Sequence, residues 1–462
     1  SPLDYQGTYF RLGYGSYNDM RLIASNYTKV NEQLGLSFSG NYHHNDGFFT
    51  NLHTHKKADK LDNGAGRIGL TWKPAAHWTT RFITSYEYSN RGGYPYGLYN
   101  ADKGTTEAVN YNNEGLYRRN LLTSGINIRY NGPHISFNSQ TSYQYIQDKM
   151  GIDQDFSPRN IFYGQNKIRQ HMYCQEFTVK SVNKSRYHWI TGPFFFRPTI
   201  NRKVDLTRFT DTTRHLTNSG IPTQGIAFYH QSTLDLLQGL SCSVGLRYDY
   251  EHARCDFSKV QQPLNGNGET KSLEQFNRSL HFGQFTPRFS MQYLSSHNQL
   301  FYASVSKGYK AGGFNVSFLN NDDYLYSPEY NWNYERGTKL SFLNNRLSAD
   351  LSLFYIDWRN QQITNTIPTV GNVIRNAGRS RNKGIEASFQ ARPTKSWMMY
   401  MNYGYTDARF VHYQKEERGI LKDYEGNYLP MVPRHTFSLT TGYSFYDICS
   451  WIDRLTLNAG VS

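Results

Sequence analysis

The sequence predicts an all-β protein, one large antiparallel sheet of long strands. Three observations carry this: apolar residues recur at every second position, the alternating runs are long, and tight turns between them alternate with long polar loops. Composition narrows the field first. Of 462 residues, 38% are apolar and 16% aromatic, and 38 of the aromatics are Tyr. Mean hydropathy is −0.70. A soluble enzyme of this length would divide into several domains, each with a clearly apolar core. Disordered chains are poor in aromatic and β-branched residues. The longest apolar stretches, such as Phe194–Phe196 and Trp397–Met401, fall far short of the roughly 18 residues of a membrane-spanning helix. The chain starts at Ser1 without a charged-then-apolar leader, so any signal peptide is expected to be removed or to lie outside this sequence.

The strands can be justified in order. Ile68, Leu70 and Trp72 alternate with Arg67, Gly69, Thr71 and Lys73. In Leu240–Tyr250 the even positions are Leu240, Cys242, Val244, Leu246, Tyr248 and Tyr250, and the odd ones are Ser241, Ser243, Gly245, Arg247 and Asp249. Phe285, Phe289, Met291 and Tyr293 oppose Gln284, Thr286, Arg288 and Ser290. Leu347, Ala349, Leu351 and Leu353 oppose Ser348, Asp350 and Ser352, and Ile385, Ala387 and Phe389 oppose Glu386, Ser388 and Gln390. Period two puts one set on each face of a strand. The runs are about 9 to 14 residues long, above the soluble mode and suited to a tilted strand crossing a bilayer.

Short turns are read at 73–77, 131–134, 182–186, 237–239, 295–298, 344–346 and 393–396. Long polar loops are read near 45–62, 89–118, 150–168, 204–219, 256–279, 308–332, 359–381 and 411–433. Tight turns at one end and long loops at the other mark outer-membrane barrels. A soluble sandwich also alternates, but it predicts neither this strand length nor aromatic residues gathered at strand ends. Lipid offers no partner to an open sheet edge, so the sheet is expected to close. About 19 strands are read, starting near Gly7. Single-chain bacterial barrels have even strand numbers, so the last strands of this barrel are expected to lie beyond Ser462.

Specific stretches then resemble a known family. Tyr302–Asn315 reads YASVSKGYKAGGFN; it is followed by Ser327–Phe342 (SPEYNWNYERGTKLSF), Arg346–Ile363 (RLSADLSLFYIDWRNQQI) and Asn376–Phe389 (NAGRSRNKGIEASF). With DGFFTN at Asp46–Asn51 and RIGLTWKP at Arg67–Pro74, these resemble the β-barrel of TonB-dependent outer-membrane receptors, the ferric-siderophore type above all. The resemblance spans essentially the whole chain. It implies a transmembrane barrel with about 19 of 22 strands present, and no plug domain or TonB-box segment in this sequence. It also implies import of a ferric siderophore, an Fe(III) chelate, from extracellular loops with TonB-derived energy. The implied setting is a Gram-negative outer membrane, as a monomer among lipid and lipopolysaccharide. Haem, cobalamin or an oligosaccharide as cargo is the alternative within the family; a passive porin or surface adhesin is the alternative outside it.

Candidate ligand residues lie in the loops: Tyr94, Tyr96, Tyr117 and Arg118; Phe162 and Tyr163; Tyr309, Phe314, Tyr324 and Tyr326. Aromatic faces beside Arg or Lys suit an anionic aromatic chelate, and packing of the loops on themselves would use the same residues. Glu335 with Lys339, and Arg247, Asp249 and Glu251, share strand faces and are expected to pair structurally. Gly312 and Gly313 read as a loop start where positive φ is free. His43, His44, His53 and His55 with Asp46 are the one cluster suited to a metal, and no resident metal or cofactor is expected. The four Cys form no CxxC pair, so few disulfides are expected. No GxSxG, HExxH or GxxxxGK[ST] signature is present, and an enzyme is not expected. The net charge of +14 accompanies no nucleic-acid-binding motif; anionic lipid and anionic chelates are its expected counterparts.

Overall fold

The computed structural model describes residues 1–183, 185–266, 268–367, 370–417 and 420–462. Nineteen long strands form one antiparallel sheet, the first at Gly7–Gly15 and the last at Ile452–Val461. Helix is confined, among the described residues, to two short 3-10 turns, Ser16–Asn18 and Asn321–Tyr324. No helix there is long and apolar enough to cross a membrane, which leaves crossing by strands untouched.

By contacts the chain forms two units. The first comprises Ser1–Val182, Gly192–Phe228 and Tyr250–His281. Within it, eight successive strands from Gly7–Gly15 to Phe162–Ser181 pair in order as an up-and-down meander. Register lines up one apolar face: Phe10 stands opposite Ala24, then Gly40, Gly66, Tyr86 and Leu122 follow across the strands. The second comprises Asn183–Thr191, Tyr229–Asp249 and Phe282–Ser462. There the strands from Phe282 onward again pair in chain order to Ile452–Val461.

The burial pattern is the reverse of a soluble protein's. Leu246, Leu351 and Phe389 are 49%, 43% and 40% exposed; two stacked sheets would have covered them. Buried positions include Asp249, Glu329, Asp357 and Ser380. Trp72, Trp78 and Trp397 are exposed beside tight turns, as an interfacial aromatic belt requires.

The tight turns read from the sequence lie between successive strands, with residue 184 of 182–186 outside the described residues. Three of the long loops, apart from residues 267, 368 and 369, which lie outside the described residues, are largely strand. Strands continue to Arg208 and restart at Thr213, continue to Pro263 and restart at Lys271, and continue to Ile367 and restart at Gly371. Strands reach 25 residues (Thr213–Leu237), well beyond 14. Backbone pairing carries these strands past the point where the sequence alternation becomes irregular, so period alone ends the strand too early. Phe162 and Tyr163 likewise begin a strand.

Gly312 and Gly313 also need correction. Neither has positive φ. A Cβ on Gly312 would meet the Tyr326 carbonyl oxygen at 2.3 Å, and one on Gly313 the Tyr326 hydroxyl at 2.4 Å. These glycines admit a close backbone approach. Positive φ is required instead at Gly239 (φ 79°), in the two-residue turn between Leu237 and Leu240.

Candidate functional site

In the first unit, three loops meet at the end of the sheet opposite the tight turns: 46–60, 93–115 and 154–161. Their core is small, with Ala58, Val109 and Tyr111 buried and Phe156 packed against them. Asn51, 2% exposed, ties two loops together. Its side-chain amide donates to the Tyr111 carbonyl at 2.8 Å, and its Oδ1 accepts from the amides of Tyr111 (3.3 Å) and His53 (3.0 Å). Asp153, equally buried, accepts from the amides of Asn113 (3.1 Å), Asp155 (3.2 Å) and Phe156 (2.9 Å). Burial pushes the Asp153 carboxyl up, against those amide bonds. Burial also pushes up the Tyr111 phenol. Buried side chains that satisfy loop backbone in this way make a rigid frame.

On that frame, Tyr94 and Tyr96 stack with ring centroids 5.5 Å apart and planes 6° apart, and Phe156 stands edge-on to Tyr96 at 5.1 Å. Tyr94 is 37% and Tyr96 51% exposed. The Tyr111 hydroxyl donates to the Tyr94 carbonyl at 3.2 Å, linking the pair to the buried core. The other predicted residues of this unit are engaged with protein. Tyr117 donates to Asp148 at 3.4 Å and carries the Arg119 guanidinium over its ring at 5.6 Å. Arg118 donates to Asn90 at 3.1 Å. Phe162 lies under Arg208 at 5.9 Å, and Tyr163 donates to the Glu114 carbonyl at 3.4 Å. Arg159, exposed at the tip of 154–161, has no ion-pair partner among the described residues.

In the second unit, the remaining four candidates frame loop 311–328. Phe314 and Tyr324 are buried, Gly313–Phe314 pairs with Leu325–Tyr326, and Tyr309 pairs across the ladder with Tyr330. The loop is clamped by side chains that sequence reasoning missed. Asp323, 5% exposed, accepts from Arg375 Nε at 2.6 Å and Nη2 at 2.8 Å; the guanidinium holds its carboxyl below the usual carboxylate range. Asn315 donates to the Ile374 carbonyl and accepts from the Ile374 amide, both at 2.8 Å. Glu329 Oε2 accepts from the Gln362 amide at 2.5 Å, and Asn376 both donates to and accepts from the Ser327 backbone. Asp322–Asp323 after Asn320, and Arg375–Asn376 some fifty residues on, were visible as residues; nothing in their spacing pairs them.

Of the charges expected to pair on strand faces, Arg247 and Asp249 do so, whereas no Glu335–Lys339 ion pair is found among the described residues and Glu335 binds a tyrosine instead. Tyr302 donates to Glu335 at 2.7 Å, and Arg247 binds Asp249 at 2.7–3.0 Å. His43 and His44 end a strand and bond to carboxylates: His43 to Asp19 (2.9 Å), His44 to Asp62 (2.7 Å) and Asp46 (3.1 Å). Among the described residues no three metal-ligating side chains converge. All four Cys are free.

The family model described as TonB dependent receptor-like, beta-barrel, matches residues 3–461. A curated relative, the probable TonB-dependent siderophore receptor PiuA of Acinetobacter baumannii, is 30% identical over 158 residues, a match covering 33% of this chain and 20% of that protein. Among solved structures, the ferric yersiniabactin uptake receptor FyuA of Yersinia pestis superposes with a TM-score of 0.79 at 16% identity, over 98% of this chain and 68% of that one. The siderophore receptor PiuA of A. baumannii does so at 0.77 and 14% identity, over 99% and 71%.

Proposed function

Because the chain belongs to the TonB-dependent receptor-like β-barrel family, we propose that it is the barrel of an outer-membrane receptor that captures a ferric siderophore at its loops and imports it with TonB-derived energy. The observation that carries this reading is the exposed Tyr94–Tyr96 stack on a loop frame held rigid by Asn51, Asp153 and Tyr111. A flat aromatic platform costs little ordering entropy on binding, and the uncompensated Arg159 near the tip of a neighbouring loop favours an anionic ligand. The names of the relatives support the cargo class. Transport of this kind requires no covalent change in the ligand. The sheet's water-facing side chains, such as Glu335 and Arg247, then line the lumen, and its apolar face meets outer-membrane lipid. Energy coupling belongs to the plug and TonB-contacting segment of the complete receptor.

The test is a binding panel on the full-length receptor: ferric catecholate, hydroxamate and phenolate siderophores, haem, cobalamin and oligosaccharides. Tight binding of one ferric chelate, weakened in the Tyr94→Ala/Tyr96→Ala variant, supports the reading; binding of haem, cobalamin or a glycan alone refutes the cargo.

A further inference from the structure

On the polar face of the first unit, a hollow opens close to the tight turns, and two arginines without counter-charge look into it. Strand register sets Arg67 opposite Ser85, Gly69 opposite Ile83 and Thr71 opposite Arg81. The arginines therefore stand on adjacent strands with Gly69 midway between them. Period two puts them on one face, which Ser37 and Ser39 join from the strand before, opposite Gly69 and Arg67. These residues line a volume of about 290 Å³ that Pro2 closes on one side. Gly69 is buried, and a Cβ there would meet Ser37 Oγ at 2.5 Å. A larger residue at 69 would fill the space between the arginines.

The charges are one-sided. Arg67 and Arg81 are exposed, and neither has an ion-pair partner among the described residues. Arg129, opposite Thr79, adds a third cation to the same face. Glu87, opposite Ala65, is the nearest carboxylate on this face of the two strands, and it pairs with neither arginine. Nearer the loops the same face compensates its cations: Arg21 binds Asp19 at 2.8 Å and Arg119 binds Asp148 at 2.6 Å. A hollow lined by one sign of charge concentrates counter-ions. Guanidinium forks match carboxylate oxygens, and serine and threonine hydroxyls donate beside them. Arg81 is eleven residues from the loop end of its strand, Trp78–Gly92. Eleven steps of about 3.3 Å on a strand tilted about 45° place the hollow roughly 26 Å below the loops, well apart from the Tyr94–Tyr96 stack. Its volume is under the roughly 300–1,000 Å³ of whole-ligand pockets. It fits one arm of a chelate rather than all of it.

We propose that this hollow is a second, low station for the cargo: it takes one carboxylate or catecholate arm of the iron chelate after the chelate has left the loops and before it is released at the tight-turn end. Arg67 and Arg81 grip the arm's oxygens from two strands, and the Ser39 and Thr71 hydroxyls donate beside them. The inference rests on the ferric-chelate reading above and adds to it a site on the exit side.

The experiment uses the full-length receptor purified in detergent, with its four native Cys replaced by Ser and Ile83→Cys as a reporter. Ile83 lines the hollow, is 37% exposed and offers no polar group. Two methanethiosulfonate reagents are compared, one ending in a sulfonate and one in a trimethylammonium, each rate divided by its rate with free cysteine. The anionic reagent should lead by about tenfold or more, the low end of what a cleft of one charge sign gives. Arg67→Gln with Arg81→Gln, folded by heat-modifiable gel mobility, should bring the ratio close to one. Citrate and 2,3-dihydroxybenzoate should each slow the anionic reagent in the reporter receptor, and glycerol should not. Three results overturn the proposal, and none of them needs the arginine variant to fold. The first is a ratio near one in the reporter receptor. The second is protection by inorganic phosphate but by neither organic acid. The third is no reaction with either reagent, which would mean that the plug fills the hollow. Binding of haem or cobalamin alone in the panel above, with the reagent ratio still high, would instead refute the ferric-chelate reading.

Discussion

The Asp323–Arg375 clamp gives the most quantitative prediction. Asp323 is 5% exposed and makes two guanidinium bonds of 2.6 and 2.8 Å plus one with the Leu319 amide at 3.1 Å. Breaking a fully buried pair costs about 3–5 kcal/mol. The Arg375 side chain is 42% exposed, so water regains much of its charge, and an expectation of about 2 kcal/mol for Asp323→Ala is appropriate. The cost falls on loop 311–328, because the pair joins Asn321–Tyr324 to the strand Gly371–Ala391. Local opening should then rise about 30-fold, since 1.4 kcal/mol is a factor of ten. Hydrogen exchange on the full-length receptor reads this directly: amides of 313–326 and of Ile374 should exchange about 30 times faster, and amides of 34–45 should not change. Arg375→Gln should match it, and the double variant should cost little more than either single one. Unchanged exchange at 313–326, or a uniform increase over the whole chain, would refute the clamp.

Other predictions follow from the same contacts. The Asp323 carboxyl is held below its ordinary value by Arg375, so the clamp's contribution should be complete above about pH 4 and vanish as pH falls further through the lowered value; exchange of the same amides, followed downward in pH, checks the direction. Asn51→Ala removes three buried hydrogen bonds and should loosen the loop frame by about 2–3 kcal/mol, seen as faster proteolytic nicking within 46–60 and 93–115 with the strands intact. Tyr94→Ala with Tyr96→Ala should weaken chelate binding about tenfold without changing thermal stability; unchanged affinity would move the binding surface elsewhere. Gly239→Ala combines φ of 79° with a Cβ 2.1 Å from the Leu294 carbonyl oxygen, and should sharply lower the yield of folded barrel on gels.

The fold was legible in the sequence where water and apolar solvent stand on opposite faces. Ile68–Leu70–Trp72 and Leu347–Ala349–Leu351–Leu353 name their strands because each step changes solvent. The strand extensions beyond 204, 256 and 359 were not legible, since their alternation is short or irregular and the side chains they bury, such as Phe257, Phe276 and Val373, meet partners far apart in sequence. At the site, the exposed pair Tyr94 and Tyr96 could be picked out as aromatic residues in a polar loop. Their frame could not. Asn51 and Tyr111 are sixty positions apart, and Asp323 and Arg375 fifty-two, and polar pairing at such separations leaves no periodic trace.

The central claim is that one face of each long strand meets hydrocarbon and the other meets water. Cysteine scanning along 347–356 of the full-length receptor, with the four native Cys replaced by Ser, tests it most directly. The account predicts that Cys at 348, 350 and 352 reacts with a membrane-impermeant maleimide, and that fluorophores at 347, 349, 351 and 353 are quenched only by lipid-borne nitroxides. Uniform water access at all positions, or odd positions shielded from both reagents, would contradict it.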